Sequence, residues 1–164
     1  MSANEPAVPS PEDVATAYHE AGHAVAALAL DRPVVKVSVL ADRDRAGICF
    51  FGKAVFRPSE DWLEREVLIA LAGMAAEARQ TGEYNRDAAA RDLRYARGLA
   101  VQRAGNERQA ERLERRLLSK AEHLLEREVH WRAVERIAAE LLRAGAISGR
   151  QARHLFEECL RDEP

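Results

Sequence analysis

The sequence has very few cysteines. Only two occur in 164 residues, Cys49 and Cys159, and they lie far apart, without the C-x-x-C spacing of cysteine metal sites. The sequence therefore favours neither a disulfide-stabilised scaffold nor a cysteine metal site. Two isolated thiols are typical of a reducing compartment, and we expect a cytoplasmic location.

The sequence also lacks a charge excess of either sign. Its 25 Lys and Arg residues stand against 27 Asp and Glu, a formal net charge of -2, which is not the basic footprint of a nucleic-acid-binding protein. Long apolar runs are missing as well. The longest, residues 24–30, is far shorter than the roughly 20 residues of a membrane-spanning helix. We expect no nucleic-acid partner and no membrane span.

Aromatic residues make up only 5% of the sequence, whereas 31 residues are alanine, which favours a mainly α fold of closely packed helices. Apolar spacing and capping residues predict helices over residues 11–30, 58–82, 87–104, 107–129, 131–143 and 149–160. Two runs with β-branched residues, 34–40 and 48–56, predict a β-hairpin after the first helix. Residues 1–10 predict a disordered tail, followed by a single domain over residues 11–161.

The first helix contains the segment His19-Glu20-Ala21-Gly22-His23, an H-E-x-x-H motif. Four residues advance a helix by about 6 Å and leave both imidazoles on one face, where they can bind a single Zn²⁺. Glu20 follows the first histidine directly, and its carboxylate can act there as the general base on a water at the metal. The motif predicts a zinc hydrolase. The same spacing also fits two hydrogen-bonded histidines of an ordinary amphipathic helix.

Several segments resemble the peptidase domain of the FtsH-type AAA+ zinc proteases. Residues 17–25 read Ala-Tyr-His-Glu-Ala-Gly-His-Ala-Val, and residues 33–38 read Pro-Val-Val-Lys-Val-Ser. Residues 71–77 are similar to that family's Gly-Gly-Arg-Ala-Ala-Glu segment, and residues 92–96 to its Asn-Asp-Leu-x-x-Ala-Thr segment. The similarity extends over about residues 14–156. It implies a helical zincin-like peptidase domain with a small β-hairpin after the first helix.

The resemblance also implies the rest of the metal site. The family takes its third zinc ligand from the aspartate of Asn-Asp-Leu, and the matching residue is Asp92. The residue before it is Arg91 rather than asparagine, and Arg97 replaces the threonine, so Asp87 stays open as a competing ligand. Glu77, the acid of the Ala-Ala-Glu segment, would orient a histidine ligand. The alternative for Glu77 is an ordinary helix-surface acid.

From the motif and the resemblance we expect a zinc-dependent metalloendopeptidase that hydrolyses unfolded or extended polypeptides. His19, His23 and Asp92 would bind Zn²⁺, and Glu20 would be the catalytic base. The resembled proteases carry a membrane anchor and an ATP-driven ring, whereas these 164 residues contain no Walker Gly-x-x-x-x-Gly-Lys-Ser/Thr pattern. We therefore expect ATP-independent cleavage, or docking on a separate ATPase or adaptor, and a homo-oligomer is compatible with the sequence. The alternative function is a non-catalytic, zinc-containing binding or regulatory module.

Overall fold

The structure, a computed structural model, describes residues 7–54 and 61–164. In these residues the chain forms a mainly α fold with a small antiparallel sheet, as predicted. The elements in chain order are α1 (Pro11–Ala29), β1 (Val34–Ser38), β2 (Ile48–Phe51), α2 (Trp62–Thr81), α3 (Ala90–Ala104), α4 (Glu107–Glu126), α5 (Glu128–Ala144), β3 (Ala146–Ser148) and α6 (Gly149–Arg161). None of the described helices is long and apolar enough to span a membrane.

Helix α1 begins where the sequence predicts it, because a capping box closes its first turn. The Ser10 hydroxyl accepts a hydrogen bond from the Asp13 backbone N–H, and the Asp13 carboxylate accepts one from the Ser10 N–H. Pro11 occupies the first helical position, where its missing N–H costs nothing. The helix then packs between α2 and α5. The H-E-x-x-H motif is thereby placed in the interior of the molecule.

Three predictions extend beyond the described residues. The predicted tail covers residues 1–10, of which 1–6 lie outside them, and the predicted start of the second helix at residue 58 lies outside them as well. The second predicted strand extends to residue 56, whereas β2 ends at Phe51. Within the described residues Asp61 caps α2 by accepting a hydrogen bond from the Glu64 N–H. The helix ends at Thr81 and is followed by Gly82, in the left-handed conformation that favours glycine.

The predicted hairpin is part of a three-stranded sheet. Strand β1 pairs antiparallel with β2, with Val37 opposite Cys49, and on its other side with β3, with Val37 opposite Ile147. The strand order is β2-β1-β3, so β2 forms one edge. The prediction of two strands was incomplete because β3 has only three residues. The last of these, Ser148, carries the signal of the α6 N-cap instead.

Three further helix boundaries differ from the prediction, each by three residues. Helix α3 begins at Ala90 rather than residue 87, because Asn85 accepts a hydrogen bond from the Ala88 N–H and residues 86–89 form a turn. Helices α4 and α5 meet at Arg127, whose backbone (φ -57°, ψ 127°) leaves the helical region. The predicted boundaries, 129 and 131, lie further along the chain because neither glycine nor proline marks this junction.

In the part of the chain that the structure describes, two apolar clusters form the core, and α2 belongs to both. One cluster lies between α1, α5, α6 and the sheet, and the other between α2, α3 and α4. Helix α2 contributes Ile69, Ala72, Ala75 and Ala76 to the first cluster, and Leu63, Val67, Leu68, Ala70 and Leu71 to the second. Because its side chains are buried in both directions, α2 is a rigid support for the groups that it presents to α1.

Candidate metal centre

His19 and His23 lie on the same face of α1, close to α2. Their ring centroids are 4.8 Å apart, and both residues are buried. The two helices approach closely because Gly22 has no side chain. A Cβ on Gly22 would lie 2.5 Å from Ala76 Cβ and 2.6 Å from the Ala72 carbonyl oxygen. The glycine of the motif thus allows α2 to pack directly against the histidine pair.

Asp92 brings a carboxylate to this pair from the first turn of α3. Its Oδ2 lies 2.9 Å from His19 Nε2 and 3.1 Å from His23 Nε2. In residues 7–54 and 61–164, these three form the one group of three or more His, Cys, Asp or Glu residues whose ligating atoms all lie within 4.8 Å of one another. Asp87 lines the same cleft from the turn before α3 and is not part of the group. The structure therefore brings Asp92, and not Asp87, to the histidines.

Each histidine is also held at its other ring nitrogen, by α2. His19 Nδ1 lies 2.8 Å from Oε2 of the buried Glu77, and His23 Nδ1 lies 2.8 Å from the Ile69 carbonyl oxygen. Both partners are acceptors, so Nδ1 of each ring carries the hydrogen. A neutral ring in this form has its lone pair on Nε2, where metals bind. The two contacts therefore orient both Nε2 atoms toward Asp92.

The resemblance to FtsH-type peptidases predicted that Glu77 lies next to a histidine. The contact between His23 and the Ile69 carbonyl was not predicted. A backbone oxygen leaves no trace in residue type, so motif reasoning could not have found it. Ile69 precedes Glu77 by eight residues, which leaves the two positions about 80° apart around α2. Both can therefore face α1, but this spacing by itself does not mark a carbonyl ligand partner.

The cluster perturbs the protonation of its members. Burial opposes a charge on His19, but the hydrogen bonds with Asp92 and Glu77 outweigh it and raise the pKa of His19 to about 10. Burial also opposes a charge on His23, and the charge of Asp92 nevertheless raises its pKa. The pKa of Asp92 lies well below its usual value, because the two histidines outweigh the effect of burial. The carboxylates thus favour a positive charge at the Nε2 atoms, carried by a proton or by a metal ion.

The group fits Zn²⁺ in donor type and spacing. Two imidazole nitrogens and one carboxylate oxygen are donors that Zn²⁺ prefers. The distances of 2.9 and 3.1 Å from Asp92 Oδ2 to the two nitrogens are close to the edge of a tetrahedron, about 3.3 Å, around an ion with ligands at about 2.0 Å. Gly73 leaves room beside these nitrogens, since a Cβ there would lie 2.4 Å from His23 Nε2 and 2.8 Å from His19 Nε2.

Glu20 lies beside the cluster and lines the same cleft as the histidines. The residue is 7% exposed, and its carboxylate makes no hydrogen bond to any residue that the structure describes. Burial raises its pKa, although the charges of His23 and His19 oppose the shift. A buried carboxylate without a hydrogen-bond partner and with a raised pKa can accept a proton from a water in the cleft.

A cleft of about 780 Å³ lies over the cluster. Strand β2 and the start of α3 both line it, with Ile48, Cys49 and Phe51 from the strand and Arg91, Asp92 and Tyr95 from the helix. Because β2 is an edge of the sheet among the described residues, its outward backbone groups can pair with another strand. The cleft thus combines a strand edge with the histidine and carboxylate cluster.

These features are those of the metallopeptidase class. Residues 7–106 match the model of peptidase family M41, the family of the FtsH peptidase domain. The match covers more than half of the chain, and the chain belongs to this family. M41 peptidases are zinc metalloproteases. The resemblance to FtsH-type peptidase domains is confirmed as far as residue 106, where the match ends, rather than over the whole predicted range to residue 156. The matched range contains all of the predicted site residues, His19, Glu20, His23, Glu77 and Asp92. No curated protein matches the chain.

Proposed function

We propose that this chain is a zinc-dependent metalloendopeptidase that hydrolyses unfolded or extended polypeptides. The observation that carries the proposal is the convergence of His19 Nε2, His23 Nε2 and Asp92 Oδ2, with the Glu20 carboxylate beside them in the same cleft. Three protein ligands are the number found in catalytic zinc sites, where the fourth position takes water or substrate.

In this proposal His19, His23 and Asp92 hold Zn²⁺, and Glu77 and the Ile69 carbonyl orient the two rings. A bound zinc ion would polarise the scissile carbonyl and lower the pKa of a water. The Glu20 carboxylate takes the proton from the attacking water and delivers it to the nitrogen of the leaving amine. Its lack of a hydrogen-bond partner among the described residues leaves both oxygens available for this transfer.

The substrate is proposed to bind in an extended conformation along β2. An extended peptide can add to a strand edge through main-chain hydrogen bonds, which any sequence offers. Recognition of this kind depends on local unfolding of the substrate more than on its side chains. It supports an activity on unfolded chains, and delivery by a separate ATPase or adaptor is compatible with it.

A cytoplasmic location completes the proposal. Cys49 and Cys159 are both free thiols. Two unpaired cysteines persist most readily in a reducing compartment.

The first test combines metal analysis with a cleavage assay on an unfolded, casein-like substrate. The wild type and Glu20→Gln should each contain about one zinc ion per chain, and Glu20→Gln should cleave about 10²- to 10⁴-fold more slowly. Glu12→Gln is the matched control, because Glu12 is an exposed acid of the same helix that also lines the cleft. It should keep wild-type activity.

The outcomes of this test separate the candidate functions. Zinc in every variant with no cleavage by any of them would favour the non-catalytic, zinc-containing module. A wild type that binds no zinc would contradict the metal site itself.

The second test distinguishes the two candidate aspartates. Asp92→Ala should lose bound zinc, since two remaining ligands make a poor tetrahedral site. Asp87→Ala should retain it, because Asp87 is not part of the cluster. Zinc retention measured after dialysis against a weak chelator decides between them, and the reverse pattern would contradict the assignment of Asp92.

A further inference from the structure

Gly73 lies in α2 midway between the two residues that hold the histidine Nδ1 atoms. Ile69 precedes it by four residues and Glu77 follows it by four. A Cβ on Gly73 would lie 2.4 Å from His23 Nε2, 2.6 Å from His23 Cε1 and 2.8 Å from His19 Nε2. Real Cβ atoms do not make contacts this short. Any other residue at this position would therefore have to displace the imidazoles.

The backbone of α2 does not require this glycine. The glycines with positive φ are Gly82, Gly105 and Gly145, and Gly73 is not among them. Inside a helix, glycine is less favourable than alanine. The short distances to the two Nε2 atoms are therefore the feature that accounts for a glycine here. Gly98 in α3 is also inside a helix, but nothing lies within 4 Å of a Cβ placed on it.

We propose that Gly73 is a positioning residue for the metal, whose lack of a side chain keeps the space between His19 Nε2 and His23 Nε2 open to the ion. The inference rests on the proposed function, because it takes these two atoms as ligands. A zinc ion must approach each nitrogen to about 2.0–2.1 Å, and a Cβ at 2.4 and 2.8 Å from them would crowd the same two atoms.

The histidines cannot move away without a loss of other contacts. Their Nδ1 atoms are hydrogen-bonded to Glu77 and to the Ile69 carbonyl, both presented by α2 itself. Both rings are buried, and a close-packed interior leaves few other positions for them. Displacement by an alanine methyl group would thus move the Nε2 atoms out of line with Asp92.

The test compares the wild type with Gly73→Ala, Gly98→Ala and Leu117→Ala. Zinc affinity is measured by competition with a chromogenic chelator, and thermal unfolding is recorded with and without zinc. Gly98→Ala should bind zinc as the wild type does. Gly73→Ala should bind it about 10- to 100-fold more weakly or worse, with little or no rise in Tm on addition of zinc.

Leu117→Ala controls for instability alone. Leu117 is 1% exposed in the core cluster between α2, α3 and α4, so its truncation destabilises the fold without touching the histidines. Zinc should still raise the Tm of this variant. If Gly73→Ala is unfolded without metal, its response to excess zinc is the measurement that tests the inference. Failure to refold supports the inference, and refolding by zinc contradicts it.

The remaining outcomes separate this inference from the proposed function. A wild type that binds no zinc would overturn both. Equal zinc affinities of the wild type and Gly73→Ala would overturn the role of Gly73 and leave the metal site intact.

Discussion

His19 is held at both ring nitrogens by residues distant in the sequence. Glu77, 58 residues away, lies at Nδ1, and Asp92, 73 residues away, lies at Nε2. One imidazole therefore connects α1, α2 and α3. Rotation of the ring would leave buried polar groups without partners, at a cost of about 1–3 kcal/mol for each group. The orientation of this candidate ligand is thus set by the fold before a metal binds.

The contact between the Glu77 carboxylate and His19 can be tested by substitution. Glu77→Gln should weaken zinc binding about 10- to 100-fold, because a neutral amide is a weaker acceptor for the His19 Nδ1–H than a carboxylate. Zinc competition measures the change. Glu83→Gln, an exposed acid just beyond the end of α2, is the control and should keep the wild-type affinity. Wild-type affinity in Glu77→Gln would mean that Glu77 is only a buried helix acid.

Gly47 lies close to the side chain of Glu20, the candidate base. A Cβ on Gly47 would lie 2.9 Å from Glu20 Cγ, 2.9 Å from the Ser38 carbonyl oxygen and 3.0 Å from Thr16 Cγ2. Gly47→Ala should therefore displace Glu20 and lower kcat, and a displacement of about 1 Å can cost 10²-fold. Zinc content should be unchanged.

The experiment measures kcat and bound zinc together, with Gly98→Ala as a control that should alter neither. Loss of zinc from Gly47→Ala would contradict the expectation that the substitution displaces Glu20 without disturbing the metal ligands. An unchanged kcat would show that Glu20 tolerates the added methyl group.

Helical spacing explains which site residues the sequence could reveal. His19, Glu20 and His23 lie within five consecutive residues of one helix, so their common location follows from helix geometry alone. Asp92 and Glu77 lie on other helices, and only the resemblance to FtsH-type peptidases pointed to them. The Ile69 carbonyl is a backbone group that no side-chain pattern marks. Tertiary packing brings the motif residues of α1, the two acids and the Ile69 carbonyl together, and a single sequence does not reveal that packing.

The junction between α4 and α5 depends on side-chain contacts that local sequence patterns do not mark. His130 Nδ1 donates a hydrogen bond to the Leu124 carbonyl in the last turn of α4, and its ring stacks on Phe156 of α6 at 5.9 Å between centroids. A side chain of the next helix therefore provides a hydrogen-bond donor for one of the carbonyl groups at the end of α4. The predicted boundaries missed this junction because neither glycine nor proline marks it, whereas the α1 capping box was visible in the sequence.

His130 should make stability depend on pH. Burial lowers its pKa from the ordinary 6.5, an effect that Arg127 reinforces and the bond to Leu124 opposes. The unfolded chain therefore takes up a proton at higher pH than the folded chain does. The contribution of neutral His130 is fully present above about pH 6.5 and is lost as the pH falls below it.

The measurement is urea unfolding at pH 7 and pH 5. His130→Gln cannot titrate in this range, so its free energy of unfolding should fall less between the two pH values than that of the wild type. His123→Gln is the matched control, because the side chain of His123 is 85% exposed, and it should follow the wild type. Equal pH dependence in all three proteins would contradict the role assigned to burial of His130.

At the scale of the whole molecule, the candidate site lies where the two apolar clusters meet. Helix α2 is packed into both clusters and carries Glu77, Ile69 and Gly73 against α1. The cleft above the site is bounded on one side by β2, an edge strand. This architecture offers a rigid centre beside a strand edge, which suits a substrate that is already extended.

Cleavage by the isolated chain should therefore depend on the folding state of the substrate and not on ATP. A folded substrate protects its peptide bonds by its free energy of unfolding, about 5–15 kcal/mol. These 164 residues contain no Walker pattern that could couple nucleotide hydrolysis to unfolding. An unfolded, casein-like substrate should be cleaved, and a stably folded protein of similar length should remain intact over the same period.

Both substrates are incubated with and without ATP, and Glu20→Gln serves as the inactive control for contaminating proteases. Lowering the stability of the folded substrate by core mutations should speed its cleavage in proportion to its unfolded population, because under the proposed recognition only the open form would pair with β2. Cleavage that is independent of substrate stability would contradict recognition along the strand edge. Stimulation by ATP in the purified chain would contradict the prediction that unfolded substrate reaches the cleft without a nucleotide-driven step.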